Sequence, residues 1–189
     1  MKVLEGIDVD VIEPFPAIAI GQAAQWMRCY KTLMFGDNGP QDLVQIEAFL
    51  RQHMALPQVR TWAVVDKFNK TNTKQETPLV GFVIFEQPCP ENGYVHLASN
   101  RRAWGEKVAQ PAMMEQACHL IKDDIWQTEG LQRVSIVTSS NNRAAVSLAK
   151  RLGFHKDGYF QAMGKQNGKP VDMIHFGLLR PEPEPAPQE

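Results

Sequence analysis

Apolar and polar residues follow one another along this chain in two rhythms, and the switches between them mark out its elements. Residues 9–13 alternate in the manner of a short strand. Over residues 17–35, Ile18, Ile20, Ala24, Met27, Tyr30 and Leu33 fall near helical spacing. A loop at Gly36-Asp37-Asn38-Gly39-Pro40 follows, and Pro40 suits the opening of a second helix over 41–54, with Leu43, Ile46, Phe49 and Leu50 as its apolar stripe. Residues 61–66 and 79–85 read as strands, and the polar stretch 67–78 reads as the hairpin loop between them.

A further strand is predicted over 93–99, then a long helix over 106–126 bearing Val108, Met113, Met114, Ala117, Leu120 and Ile121. Residues 131–138 form the next predicted strand. A helix over 142–152 is stopped by Gly153. Two last strands, 154–163 and 171–179, flank a hairpin signal over 164–169. The order β-α-α-β-β-β-α-β-α-β-β belongs to a mixed α/β sheet, not to the regular alternation of a doubly wound fold.

Composition narrows the picture. With 189 residues, 43% apolar and 22% charged, the chain suits one globular domain with a proper core. The formal net charge of -1 argues against a broad nucleic-acid surface, which needs a marked basic excess. The three cysteines, Cys29, Cys89 and Cys118, are widely spaced and lie in no CxxC or Cys/His cluster. They are expected to be reduced, with no metal site and a cytoplasmic setting. Residues 1–12 carry Glu5, Asp8 and Asp10 and do not read as a signal peptide, and no apolar run is long enough to cross a bilayer. We expect a domain over 1–180 and a disordered Pro/Glu tail over 181–189, where proline alternates with acidic or small residues.

One stretch carries a family resemblance. Asn142-Arg143-Ala144-Ala145-Val146-Ser147-Leu148-Ala149-Lys150-Arg151-Leu152-Gly153-Phe154, followed by Asp157-Gly158 and by Gly168-Lys169-Pro170-Val171-Asp172, resembles the GCN5-related N-acetyltransferases (the GNAT superfamily). It is most similar to the branch that acetylates protein N-termini, including those of ribosomal proteins. The resemblance implies a mostly antiparallel sheet splayed between its fourth and fifth strands, here 93–99 and 131–138, with acetyl-coenzyme A held in the gap. The family's pyrophosphate loop matches Arg101, Arg102, Ala103, Trp104, Gly105, Glu106 and Lys107, with Lys107 standing where a second small residue is usual. Backbone N–H groups at a helix N-terminus would take the pyrophosphate, and the basic side chains would reinforce them. A solvated basic turn would show the same residues. By the same resemblance, backbone groups of Leu97, Ala98 and Ser99, and Asn142, would bind the pantetheine arm. Asn142 also suits a helix N-cap.

Acetyl transfer needs a neutral amine, a polarised carbonyl and a protonated leaving thiolate. The usual family carriers fall at Ala145, Ala149 and Gly164, none of which can perform those tasks. The substitutes we identify are Glu91 and His96 as bases, Ser139, Ser140 and Thr138 at the end of the fifth strand as donors, and Tyr159 in the sixth strand as a residue facing the acceptor. Each also has an ordinary structural role open to it: strand packing for His96 and Tyr159, a turn and cap for the serines. The expected function is transfer of acetyl from acetyl-CoA to an amine, with a peptide or protein amine favoured. The alternative is a GNAT-fold binding or structural module without catalysis, within a larger assembly such as a viral or other multiprotein particle. Neither a nucleic acid nor a membrane is an expected partner, and a homo-oligomer or assembly partner is left open.

Overall fold

Two apolar runs, Trp62–Val64 and Leu79–Phe85, are buried on both faces, as strands in the middle of a covered sheet must be. The rest of the fold is built outward from them. The computed structural model describes residues 1–29, 39–40, 42–67, 79–99, 113–128 and 130–181.

The strands are β1 (Lys2–Glu5), β2 (Val9–Glu13), β3 (Val59–Asp66), β4 (Leu79–Cys89), β5 (Asn92–Ser99), β6 (Arg133–Ser139), β7 (His155–Gln166) and β8 (Lys169–Leu179). The helices are α1 (Ile20–Cys29), α2 (Leu43–Met54), α3 (Met113–Ile125) and α4 (Arg143–Arg151). One mixed sheet runs in the order β1-β2-β3-β4-β5-β6-β8-β7. Only the β5–β6 contact is parallel; every other neighbour is antiparallel.

Helices cover both faces. On one, Ile20, Ala24, Ile46 and Leu50 of α1 and α2 pack with Phe82 and Ile84. On the other, Met114 and Ile121 of α3 and Leu148 of α4 pack with Trp62, Val83, Phe85 and Phe176. The C-terminal hairpin extends beyond this cover, and β7 is exposed along most of its length.

Local chemistry explains most element ends and several departures from expectation. The second helix opens at Asp42, whose carboxylate accepts from the Gln45 amide at 2.8 Å, rather than at Pro40. The first helix begins with a 3-10 turn at Ala17–Ala19 and is described as far as Cys29. An additional strand, β1, was not expected; its partner Ile12 is packed while Val3 is exposed, so the apolar alternation is weak on that edge. The last hairpin turns at Asn167-Gly168, with φ 51° and 74°, and β7 runs on through Gly164 to Gln166. Asn-Gly in the left-handed region is the turn that matches strand twist. Gly153, φ 88°, ends α4 as expected.

An ion-pair network ties the N-terminal strands to α3. Arg60 Nε and Nη2 donate to Glu13 at 2.8 Å, and Nη2 also reaches Asp124 Oδ2 at 2.6 Å. Lys2 bonds the other oxygen of Asp124, which is buried. Burial alone would push Asp124 up, but the Lys2 hydrogen bond and the Arg60 charge hold it below the usual carboxylate value.

Candidate active site

Strand β5 follows β6 only through Asn92↔Arg133, Gly93↔Val134 and Tyr94↔Ser135. Past those pairs the described residues of the two strands are not paired with each other, and the sheet opens between Val95–Ser99 and Ile136–Ser139. Gly93 sits at the closed end, where the Phe85 ring occupies the place of its missing side chain. Backbone N–H and C=O groups facing such a gap need partners, and an extended ligand carrying amides supplies them.

The two strands end on serines. Ser99 and Ser139 are 8% and 2% exposed, and the hydroxyl of each lacks a hydrogen-bond partner among the described residues. Buried hydroxyls without partners are uncommon and costly. Their placement at the open ends of the gap fits a bound polar chain. Acetyl-CoA passes this test on two counts, the unpaired strand edges and the orphaned hydroxyls. Beside the gap, on the α3 face, lies an apolar cavity of about 30 Å³ lined by Val95, Leu97, Ile136, Cys118 and Ile121, among others. Cys118 there is inert: burial, with a smaller push from Glu115, raises its thiol to about 12.

The opposite face carries the polar groups. Alternation along β5 puts Tyr94 and His96 on the α2 side, and His96 is the second residue past the last β5–β6 pair. Its side chain is 52% exposed, and Nε2 lies 3.9 Å from Glu86 Oε2. Glu86, at the end of the buried face of β4, is also bonded through Oε1 to Nε2 of His53. His53 belongs to the last turn of α2 and stacks on Phe49, with ring centroids 5.2 Å apart. Crowding by the protein lowers His96 below the ordinary imidazole value; the Glu86 carboxylate opposes this, and His53 adds to it. On the far bank, His175 of β8 stacks on Tyr94 at 6.4 Å, and its buried Nε2 has no partner among the described residues.

The other residues singled out in the sequence fall as follows. Glu91 is not brought to the gap: it is exposed in the β4–β5 turn, where its carbonyl accepts from the Gln132 and Arg133 amides at 2.8 and 3.0 Å. Leu97 borders the apolar cavity, and Ala98 is buried toward α1 and α2. Asn142 caps α4 through a bond from the Ala145 amide at 3.2 Å. Ala149 is 1% exposed in the core, so that position packs rather than reacts. Tyr159 donates to Asp172 at 2.5 Å, and this bond raises it. Arg101, Arg102, Ala103, Trp104, Gly105, Glu106 and Lys107 lie outside the described residues, as do 182–189 of the C-terminal tail. Among the described residues no cluster of three or more His, Cys, Asp or Glu is arranged to hold a metal, and no helix is long and apolar enough to cross a membrane.

Sequence reasoning missed Glu86, His53 and His175. A signal for Glu86 did exist. It continues the face of Phe82 and Ile84 by steps of two, so a polar residue interrupts a buried face just where the apolar run ended.

Comparison with known proteins agrees with this geometry. Residues 9–155 match the acetyltransferase (GNAT) domain family. The chain belongs to that family. No curated protein matches it by sequence. Among solved structures it is similar to a GNAT-family acetyltransferase from Bacillus anthracis, with TM-score 0.73 and 12% identity over 95% of this chain and 99% of that one. It is also similar to the ribosomal-protein-S5-alanine acetyltransferase of Vibrio fischeri, with TM-score 0.69 and 16% identity over 98% and 100%. A third is the spermidine N-acetyltransferase of Vibrio cholerae, solved with coenzyme A and spermine, with TM-score 0.69 and 14% identity over 92% and 96%. The chain is thus an N-acetyltransferase that takes acetyl-CoA as cosubstrate and an amine as acceptor.

Proposed function

We propose that the acceptor is a primary amine of a peptide or protein, and that the reaction takes place where β5 and β6 part. The observation that carries this is the open sheet itself, with the Ser99 and Ser139 hydroxyls at its ends unpartnered among the described residues. Backbone groups of Leu97, Ala98 and Ser99 hold the pantetheine arm. The loop of Arg101, Arg102 and Gly105 takes the pyrophosphate. Ser139 donates to the thioester carbonyl or the departing sulfur.

Support for a peptide comes from the acceptor side. Among the described residues the sheet surface continues past the gap onto Val137 and Phe160, which are 42% and 44% exposed. The Vibrio fischeri neighbour is named for a protein acceptor and the Vibrio cholerae one for a polyamine, so both acceptors belong in the test. Free Cys89 and Cys118 suit a cytoplasmic setting.

Calorimetric titration with acetyl-CoA, repeated on Gly105→Glu and followed by turnover assays with an alanine-initiated peptide and with spermidine, tests the proposal. Binding abolished by Gly105→Glu, with acetylation of the peptide, supports it. Binding without acetylation of the peptide, or acetylation of spermidine alone, refutes the peptide assignment.

A further inference from the structure

We propose that Glu86, itself fixed by His53, is the positioning carboxylate that makes His96 the proton acceptor for the incoming amine. The inference rests on the acetyl-transfer reading above and adds two residues to it.

The geometry is a chain of three groups from three elements. His53 is pinned by stacking on Phe49, and its Nε2 engages one oxygen of Glu86. The second oxygen faces Nε2 of His96 at 3.9 Å, too long for a hydrogen bond but close enough for charge to act. A carboxylate on that side favours the tautomer with the proton on Nε2, which leaves the Nδ1 lone pair free. His96 projects from the first stretch of β5 that β6 no longer covers, so an amine approaching from the α2 face meets it there.

Among the described residues, the other charges on this face are already paired or lie on other elements. On the far bank, Arg133 is paired with Asp157 over Gly177, and His175 stacks on Tyr94. From α1, which packs against β5, the charged residue is Arg28, exposed in the helix's last turn. Among the described residues, Glu86 and His53 are therefore the titratable groups that act on His96, on top of the lowering by burial.

The proton balance is simple. An ammonium gives one proton to His96 Nδ1, and Glu86 stabilises the imidazolium formed. The neutral amine then forms the N–C bond to the acetyl carbon as the C–S bond breaks. The nitrogen's second proton leaves with the thiolate as coenzyme A thiol, and His96 returns its proton to water.

The test is the pH dependence of kcat/KM for acetyl-CoA with spermidine and with an alanine-initiated peptide, on the full chain. His96→Asn is expected to lower kcat by about 100-fold or more, with acetyl-CoA binding retained. Glu86→Gln removes the charge that favours imidazolium, so the acidic limb should move to lower pH. His53→Gln frees that charge for His96 alone, so the limb should move to higher pH. A merely structural role would lower activity without moving the limb. Should His53→Gln fail to fold, NMR titration of the His96 ring in Glu86→Gln decides the matter, with the expected shift again downward. An unmoved limb or ring titration in Glu86→Gln, or full activity in His96→Asn, overturns the proposal. Intact acetyl-CoA binding with transfer to neither amine also overturns it and leaves the cosubstrate standing. Absence of acetyl-CoA binding by the native chain would instead remove the reading beneath it.

Discussion

Replacing Gly93 with alanine should destabilise the protein and disturb its cleft through one contact. A Cβ there would lie 2.0 Å from Cε2 and 2.3 Å from Cζ of Phe85. Carbon atoms rest at about 3.5–4.0 Å, so the ring or the β5 backbone must move by roughly 1.5 Å. Phe85 is 1% exposed and packed in the α3-side core, which leaves the ring little room to go. Overpacking of this kind costs about 1–3 kcal/mol, and in a chain of this size each kcal/mol lowers Tm by roughly 2–4 °C. Because Gly93 pairs with Val134 just before the strands part, displaced backbone also changes the width of the gap. Weaker acetyl-CoA binding should therefore accompany the stability loss. Urea unfolding and calorimetry on Gly93→Ala, Phe85→Leu and the double variant measure both effects. The double variant should be destabilised by less than the sum of the singles, by at least about 0.5 kcal/mol, since the smaller side chain vacates the space. Strict additivity, or an unchanged Tm in Gly93→Ala, would refute the reasoning.

Three further outcomes follow from other sites. Asp124→Asn should cost about 1–3 kcal/mol, the cost of breaking a buried pair moderated by the Glu13 bond that Arg60 keeps. Because the folded protein holds Asp124 low, its contribution is present above the unfolded carboxylate value, near 3.9, and is lost as pH falls through the folded one. Stability of the variant should fall less steeply in acid, as urea midpoints between pH 6 and about 3 would show. Ser139→Ala should weaken acetyl-CoA binding by roughly 3–10-fold without lowering Tm, since the hydroxyl lost has no partner within the described residues; a fall in Tm with unchanged affinity would assign Ser139 to packing. In thiol labelling followed by peptide mapping, Cys118, buried and raised to about 12, should stay unmodified while the half-buried Cys89 reacts first.

Much of the architecture was written in local pattern. Among the described residues, the two rhythms of apolar residues placed seven of the eight strands and the four α-helices, because each rhythm reflects which side of a single element faces the core. Capping chemistry was equally local, and Asn142 and Gly153 bound α4 as their residue types require. The Asn-to-Gly-Phe stretch carried the family resemblance, by which Ala145, Ala149 and Gly164 stand where relatives carry acid, base or hydroxyl.

How the residues we propose for the chemistry come together was decided only in three dimensions. His53, Glu86 and His96 stand on different elements, and nothing in their spacing says they meet. They do so because α2 must bury Ile46 and Leu50 against the sheet, which lays its last turn across the end of β4. Glu91, nearer to His96 in sequence than Glu86, is carried off by the turn, since the antiparallel register folds Tyr94 back onto Glu86. The parting of β5 and β6 after Tyr94 and Ser135, which leaves two serines without partners among the described residues, is likewise a matter of register. Sequence periodicity fixes which side of an element is apolar; the packing of those sides fixes which polar residues face one another across the gap.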